Sequence, residues 1–261
     1  MDVRLRDLML GLRDLNLAGA PVLVHSSYKS LGPVEGGPET VVNALVTVFK
    51  TVIAPTFTYK TMITPLAGPD NNGITYGSQQ DQNRMAEFYK PGMPADPRMG
   101  VISETVRRYP RAKRSCHPVL SLAGFNADKI LVAQTLNDPL APLDLLEIAN
   151  GWVILLGVDH TVNTSIHYAV RITGRRQFIR WALTPRGVVE CPGFPGCSAG
   201  FPALAPEMDK FARKVKIGEA LVQAFPLKML FKVVAGLIKK DPLALLCSRE
   251  DCEECNAIRN Q

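Results

Sequence analysis

The stretch NTSIHYAVR, residues 163–171, follows the apolar run GWVILLGVDH and carries His167, one of four histidines in the chain. Imidazole titrates near neutral pH, so a histidine presented just behind a buried strand is a candidate general base. If NTSIH opens a helix, Thr164 lies three residues before His167 and the two side chains face one site. His160 falls in the preceding loop and His25 at the end of another apolar run.

A second candidate is VHSSYKSLGPVEGG, where Ser26, Ser27, Ser30, Gly32, Gly36 and Gly37 follow a strand and precede a helix. Hydroxyls and free backbone N–H groups beside a helix N-terminus suit phosphate oxygens. The loop is neither a Walker loop nor GxGxxG, which disfavours those two nucleotide folds. Cys116 and His117 are neighbours in an extended segment, where successive side chains point opposite ways, so they make a poor nucleophile and base pair.

Five of the six cysteines lie after residue 190. Cys247, Cys252 and Cys255 have the spacing C-x4-C-x2-C, and Cys191 or Cys197 is available as a fourth thiolate for a tetrahedral zinc. The outer spacing is not that of a standard finger, so a structural zinc and a set of free thiols both remain open, and no metal ligand is assigned.

The elements that position these residues alternate in type. Apolar positions Leu5, Leu8, Met9, Leu12 and Leu15 recur at helical spacing over residues 3–17, and PVLVHSS reads as a short buried strand. PETVVNALVTVF has a helix period with proline at its start, and TVIAPTFTY is rich in strand formers. Strand, loop, helix and strand in that order make a βαβ unit with a parallel sheet. Residues 61–100 form a loop too long for a plain connection and are read as a wall of the site. SETVRRYPRAK reads as a helix, PVLSLAGF and NGWVILLGV as strands, and FIRWAL pairs with GVVEC across TPRG as a hairpin. MDKFARKVKIGEALVQAF and PLKMLFKVVAGLIKK both read as helices. The expected fold is α/β: one domain over 1–261 with a mixed, partly parallel central sheet flanked by helices and a cysteine-containing tail over about 240–261.

A chain of 261 residues that is 46% hydrophobic can fill a sizeable core, and its longest apolar runs are too short to span a bilayer. Without a leader-like apolar segment at its start, it reads as a cytoplasmic protein with reduced thiols. The net charge of +6 suits an anionic partner such as a phosphorylated cofactor. Arg98, Arg107, Arg108, Arg111, Lys113 and Arg114 cluster within 17 residues, but no aromatic platform or recognition module accompanies them, so nucleic acid is not expected.

Six blocks in order, HSSYKSLGPVEGG, IAPTFTY, NNGITYGSQQDQNRMAEFYKPGMPADPRMG, RSCHPVLSLAG, LLGVDHTVNTSIHYA and GCSAGF, resemble the successive motifs of the aminoglycoside 3-N-acetyltransferase family. The resemblance implies an antibiotic N-acetyltransferase fold, distinct from the GNAT type, and acetyl-CoA-dependent transfer to an amine, typically the 3-amino group of an aminoglycoside. It places Ser26, Ser27, Lys29, Ser30, Leu31 and Gly32 in the loop that holds the CoA phosphates, and Arg114, Ser115 and His117 along the cofactor arm. Thr164 and His167 fall in the catalytic block, with Asn163 beside them. Partners on this reading are acetyl-CoA and a small amine, with no membrane or nucleic acid, in a monomer or homodimer. His25 stands open between lining the cofactor site and packing.

The chemistry fits these residue types. An amine must give up a proton to become the amide nitrogen, which a neutral imidazole can take, and the tetrahedral intermediate needs a donor, which Thr164 or a nearby backbone N–H can be. The chain departs from the family at one position. Members usually read HxAE, with a glutamate able to orient and stabilise the histidine, and here that place is Val170. Asp159 and Glu190 are the candidates to replace it. Asp70, Asp81, Glu87 and Asp96 are candidates for an acidic wall facing a cationic substrate. The missing glutamate keeps two alternatives in view: the same fold and cofactor with a non-aminoglycoside amine, or a CoA-binding protein that has lost catalysis.

Overall fold

The computed structural model describes residues 2–260. Its strands are β1 (Pro21–Ser26), β2 (Thr51–Pro55), β3 (Met62–Ile63), β4 (Lys113–Arg114), β5 (Leu122–Phe125), β6 (Trp152–Leu156), β7 (Phe178–Thr184), β8 (Gly187–Phe194), β9 (Arg213–Ile217) and β10 (Ala220–Pro226). The main helices are α1 (Leu5–Asp14), α2 (Gly37–Val48), α3 (Gln80–Arg84), α4 (Gly100–Arg108), α5 (Asp128–Leu131), α6 (Pro142–Ile148), α7 (Thr164–Ile172), α8 (Ala205–Met208), α9 (Leu227–Lys240) and α10 (Glu253–Arg259).

Seven strands form one mixed sheet in the order β4-β5-β2-β1-β6-β10-β9. The β1 strand pairs in parallel with β2 on one side and β6 on the other, while β5 and β10 run antiparallel at the flanks. A separate antiparallel sheet has the order β3-β7-β8 and contains the expected hairpin, which turns between Thr184 and Gly187.

Alternation along the central strands divides the apolar residues between two faces. Val22, Val24, Ile154 and Leu156 pack beneath α1, α2 and α4 with Leu8, Leu12, Val41, Leu45 and Ile102. Leu23, Val153, Leu155 and Phe225 pack beneath α6, α7 and α9 with Leu143, Ile166, Ala169, Leu230 and Val234. The side chain of His25, two residues after Leu23, therefore emerges on the α7 face at the carboxyl end of β1. The chain runs from β1 to β2 on one side and returns to β6 on the other. In open α/β sheets that reversal marks where ligands bind, at the carboxyl ends of the strands.

One expected element is corrected. MDKFARKVKIGEALVQAF folds as the last residue of the short α8, a 3-10 turn and the β9–β10 hairpin, not as a helix. Exposed residues alternate with partly or fully buried ones in RKVKI, and Gly218, at φ +56°, supplies the turn. Pairing of β10 along β6 overrides the weak helical periodicity. The helix expected next is α9.

Among the described residues no helix is long and apolar enough to cross a membrane.

Candidate active site

The α7 helix begins at Thr164 because Asn163 caps it. The Asn163 side-chain oxygen accepts the Ser165 N–H at 3.2 Å and the Ser165 hydroxyl, and its Nδ2 meets His160 Nδ1 at 3.2 Å. The Thr164 N–H, an orphan donor of the first turn, is donated to His25 Nε2 at 3.2 Å. That bond fixes His25 as the tautomer with its proton on Nδ1. One turn along, His167 lies with its ring 4.7 Å from that of Phe201.

Both rings are held neutral. Burial, reinforced by the nearby His167, lowers the His25 pKa to about 3, and burial lowers that of His167 to about 4. Among the described residues no carboxylate pairs with the His167 ring. Asp159 caps the turn at His160 by accepting the Thr161 N–H at 2.8 Å, and Glu190 accepts from Trp181 Nε1 at 3.3 Å. Neither replaces the family glutamate. Val170 is buried among apolar residues, so its position contributes packing only. A base with this environment is weaker than one supported by a carboxylate.

His25, Ser26, Thr164 and His167 open onto a cavity of about 1190 Å³. The long loop supplies a wall, as expected: Gly73, Gln79, Asp81, Asn83, Met85 and Asp96 all face it. Of the four proposed acidic residues, Asp81 and Asp96 line the cavity. Glu87 pairs with Lys60 at 3.1 Å and, like Asp70, is not in the lining. Burial raises the Asp96 pKa, but bonds from the Arg98 side chain and N–H outweigh it and leave the carboxyl below its usual range. The opposite wall comes from β7 and the C-terminal tail through Arg180, Arg249, Asp251, Glu253 and Glu254. Arg180 is buried and bonds the Asn72 carbonyl at 3.1 Å and Glu254 at 3.2 Å, tying loop and tail together. Nothing local in the sequence marks these tail residues, since their approach depends on chain packing about 180 residues apart, as in the Thr75 hydroxyl bond to Glu253.

The serine loop adjoins the cavity. Ser27 and Ser30 line a shallow groove with Gly157, Val158, Asp159, Val162 and Glu219, and Val158 and Val162 are shared by both spaces. Ser30 donates its hydroxyl to the Ser27 carbonyl at 2.7 Å, Lys29 is exposed, and Leu31 is fully buried in the core. Gly32, at φ +76°, turns the chain beside Glu219. Gly157, at φ +63°, is required by close approach: a Cβ there would fall 1.7 Å from the Ser30 Oγ.

Arg114, Ser115 and His117 stand outside both linings. Arg114 donates to the Ser121 hydroxyl at 3.0 Å and to the carbonyls of Thr56, Pro91 and Met93. The Ser115 hydroxyl accepts the Leu122 N–H at 2.9 Å, and His117 Nδ1 accepts those of Val119 and Leu120 at 3.1 and 2.9 Å. All three hold the chain around β5.

Comparison with known proteins matches residues 23–239 to the family model described as aminoglycoside 3-N-acetyltransferase. Aminoglycoside N(3)-acetyltransferase IV from Salmonella sp is 33% identical over 162 residues, covering 59% of this chain and 54% of that protein. The SPbeta prophage-derived aminoglycoside N(3')-acetyltransferase-like protein YokD from Bacillus subtilis (strain 168) is 33% identical over 167 residues, covering 58% of each. The chain thus spans little more than half the length of these curated relatives. The crystal structure of aminoglycoside acetyltransferase AAC(3)-IVa as apoenzyme superposes with a TM-score of 0.79 at 25% identity, over 100% of this chain and 98% of that one. Its histidine-to-alanine mutant in complex with a gentamicin gives 0.77 at 25% identity, with the same coverage. AAC-IIIb, solved as a binary with CoASH, shares the fold at a TM-score of 0.73 and 21% identity, over 92% of this chain and 97% of that one.

Proposed function

The chain belongs to the aminoglycoside 3-N-acetyltransferase family, and from that premise we propose that it is an acetyl-CoA-dependent N-acetyltransferase with His167 as general base. The observation that carries this reading is a pair of neutral-held histidines, His25 at the carboxyl end of β1 and His167 in the first turns of α7, facing a cavity that continues into the serine-lined groove. A relative solved with CoASH and another solved with a gentamicin support the choice of cofactor and acceptor class.

The amine nitrogen attacks the thioester carbonyl carbon, forming the C–N bond as the carbonyl oxygen becomes an oxyanion. His167 takes the proton released from nitrogen; collapse breaks the C–S bond, and the CoA thiolate recovers that proton from the imidazolium. The Thr164 backbone N–H is already committed to His25, so the Thr164 hydroxyl is the donor to the oxyanion. Ser26, Ser27, Lys29, Ser30 and Gly32 receive the CoA phosphates, with Leu31 anchoring that loop in the core. Arg114, Ser115 and His117 act by positioning the wall behind the cofactor. The reading fails if calorimetry with the purified protein detects no acetyl-CoA binding.

A second reading keeps fold and cofactor and changes the acceptor. Five carboxylates and four cationic side chains line the cavity, and Arg98 and Arg180 already neutralise Asp96 and Glu254. Such a wall is less suited to a polycation than an acidic cleft. Assay of CoA release with a panel of aminoglycosides separates the two: turnover of any supports the first reading, and none alongside intact acetyl-CoA binding supports the second.

A further inference from the structure

The C-terminal tail is held by a core too small to hold it by burial alone. Beneath residues 246–260 the buried hydrophobic cluster consists of Cys247, Cys252 and Cys255, with Cys197 and Leu246 packed against it. Three thiols and a leucine remove little apolar surface from water, and segments of this kind usually need a staple.

The four sulfurs of Cys197, Cys247, Cys252 and Cys255 all lie within 4.8 Å of one another. Thiolates around one tetrahedral zinc, with Zn–S about 2.3 Å, stand about 3.8 Å apart, so the ligand set needs only small adjustments to close on an ion. The donors arrive in two ways. Cys252 caps α10 and Cys255 lies in its first turn, while Cys197 follows β8 and Cys247 follows α9. The Ala199 N–H donates to the Cys197 sulfur at 3.3 Å, and the Arg249 N–H bonds the Cys247 sulfur in the same i+2 relation. Such N–H···S bonds stabilise thiolates and orient them as ligands. Four thiolates on Zn²⁺ leave a net charge of about −2, and the Arg249 side chain lies against Cys247 and Cys252 while Arg259 bonds the Cys247 carbonyl. Cys191, the other candidate for the fourth ligand, is buried in the main core and is not a member of the group.

We propose that Cys197, Cys247, Cys252 and Cys255 bind one structural zinc ion that staples the C-terminal tail to the loop after β8. Binding replaces the thiol protons with zinc and releases them to solvent, so affinity falls at low pH. Four thiolates leave no open position, so the ion is structural and takes no part in acyl transfer. Its consequence for the site is positional: Arg249, Asp251, Glu253 and Glu254, all on the stapled segment, line the cavity.

The test is metal content of the purified full chain by plasma mass spectrometry. About one zinc per chain is expected, released into a chromogenic chelator as p-hydroxymercuribenzoate titrates the thiols. Cys252→Ser and Cys255→Ser should lose the metal, while Cys116→Ser, at an exposed thiol outside the group, should keep it. Should the serine variants fail to fold, cobalt exchange into the wild-type protein gives an independent readout: intense visible bands of tetrahedral thiolate cobalt are expected. The proposal is overturned by folded protein that neither contains zinc nor takes up zinc or cobalt, by a disulfide among these cysteines, or by stoichiometric iron in place of zinc.

Discussion

Nε2 of His25 accepts the backbone N–H of Thr164 at 3.2 Å, joining the end of β1 to the first residue of α7 across 139 residues of sequence. The bond sets the His25 tautomer, removes one N–H from the donors available to an oxyanion, and ties the Asn163-capped start of α7 to β1. One turn further, the same helix carries the proposed base.

Replacing that base separates binding from chemistry. His167→Ala should lower kcat/KM by ~10²–10⁴ while leaving acetyl-CoA affinity by calorimetry unchanged. Turnover within a factor of about ten of wild type would remove His167 from the proton transfer.

His25→Phe keeps much of the ring's volume but deletes the acceptor of the Thr164 N–H. A buried donor left unpaired costs about 1–3 kcal/mol, read as a lower urea midpoint with an unchanged slope. An unchanged midpoint would show that water or a neighbour satisfies the N–H as well as the imidazole does.

The histidines also predict a pH dependence of stability. Mainly through burial, His25, His117 and His167 have folded pKa values of about 3, 4 and 4, against 6.5 as the ordinary value. Between these limits the unfolded chain binds more protons, so stability is fully present above about 6.5 and falls as pH drops toward 4. Urea unfolding at pH 5 should show a loss on the order of 5 kcal/mol relative to pH 7. Equal stability at the two values would mean that these rings titrate near their ordinary pKa in the fold.

Arg180 and Glu254 join β7 to the tail, and Arg180 is the more buried partner. Glu254→Gln removes the charge that compensates it and should cost about 1–3 kcal/mol, seen as a lower Tm. Restoring balance with Arg180→Met in the same chain should recover part of that loss. A double variant less stable than both single variants would sink the pairing argument.

Gly157→Ala tests the groove. The added methyl would overlap the Ser30 hydroxyl and strain a backbone at φ +63°, so the serine loop must move. Acetyl-CoA affinity should fall by more than about tenfold, at least 1.4 kcal/mol of binding energy, with the protein still folded by circular dichroism. Unchanged affinity would place the phosphates elsewhere.

Local pattern in the sequence determined much of this protein. Short continuous apolar runs marked β1 and β6, strand-forming residues marked β2, the proline start marked α2, and six ordered motifs marked the family. These features need only near neighbours or a fixed order of residues, so one dimension is enough to carry them. Tertiary structure decided the rest. RKVKI and ALVQAF became strands because β10 found β6, an association that helical periodicity could not reveal. The partner of Thr164 proved to be His25 from the carboxyl end of the neighbouring strand β1, while Asp159 and Glu190 turned to other bonds and Val170 entered the core. Cys197 rather than Cys191 joined the tail cysteines, and the tail itself became a wall of the cavity. Each of these depends on contacts between residues far apart in sequence, where packing selects one partner among several of equal chemistry.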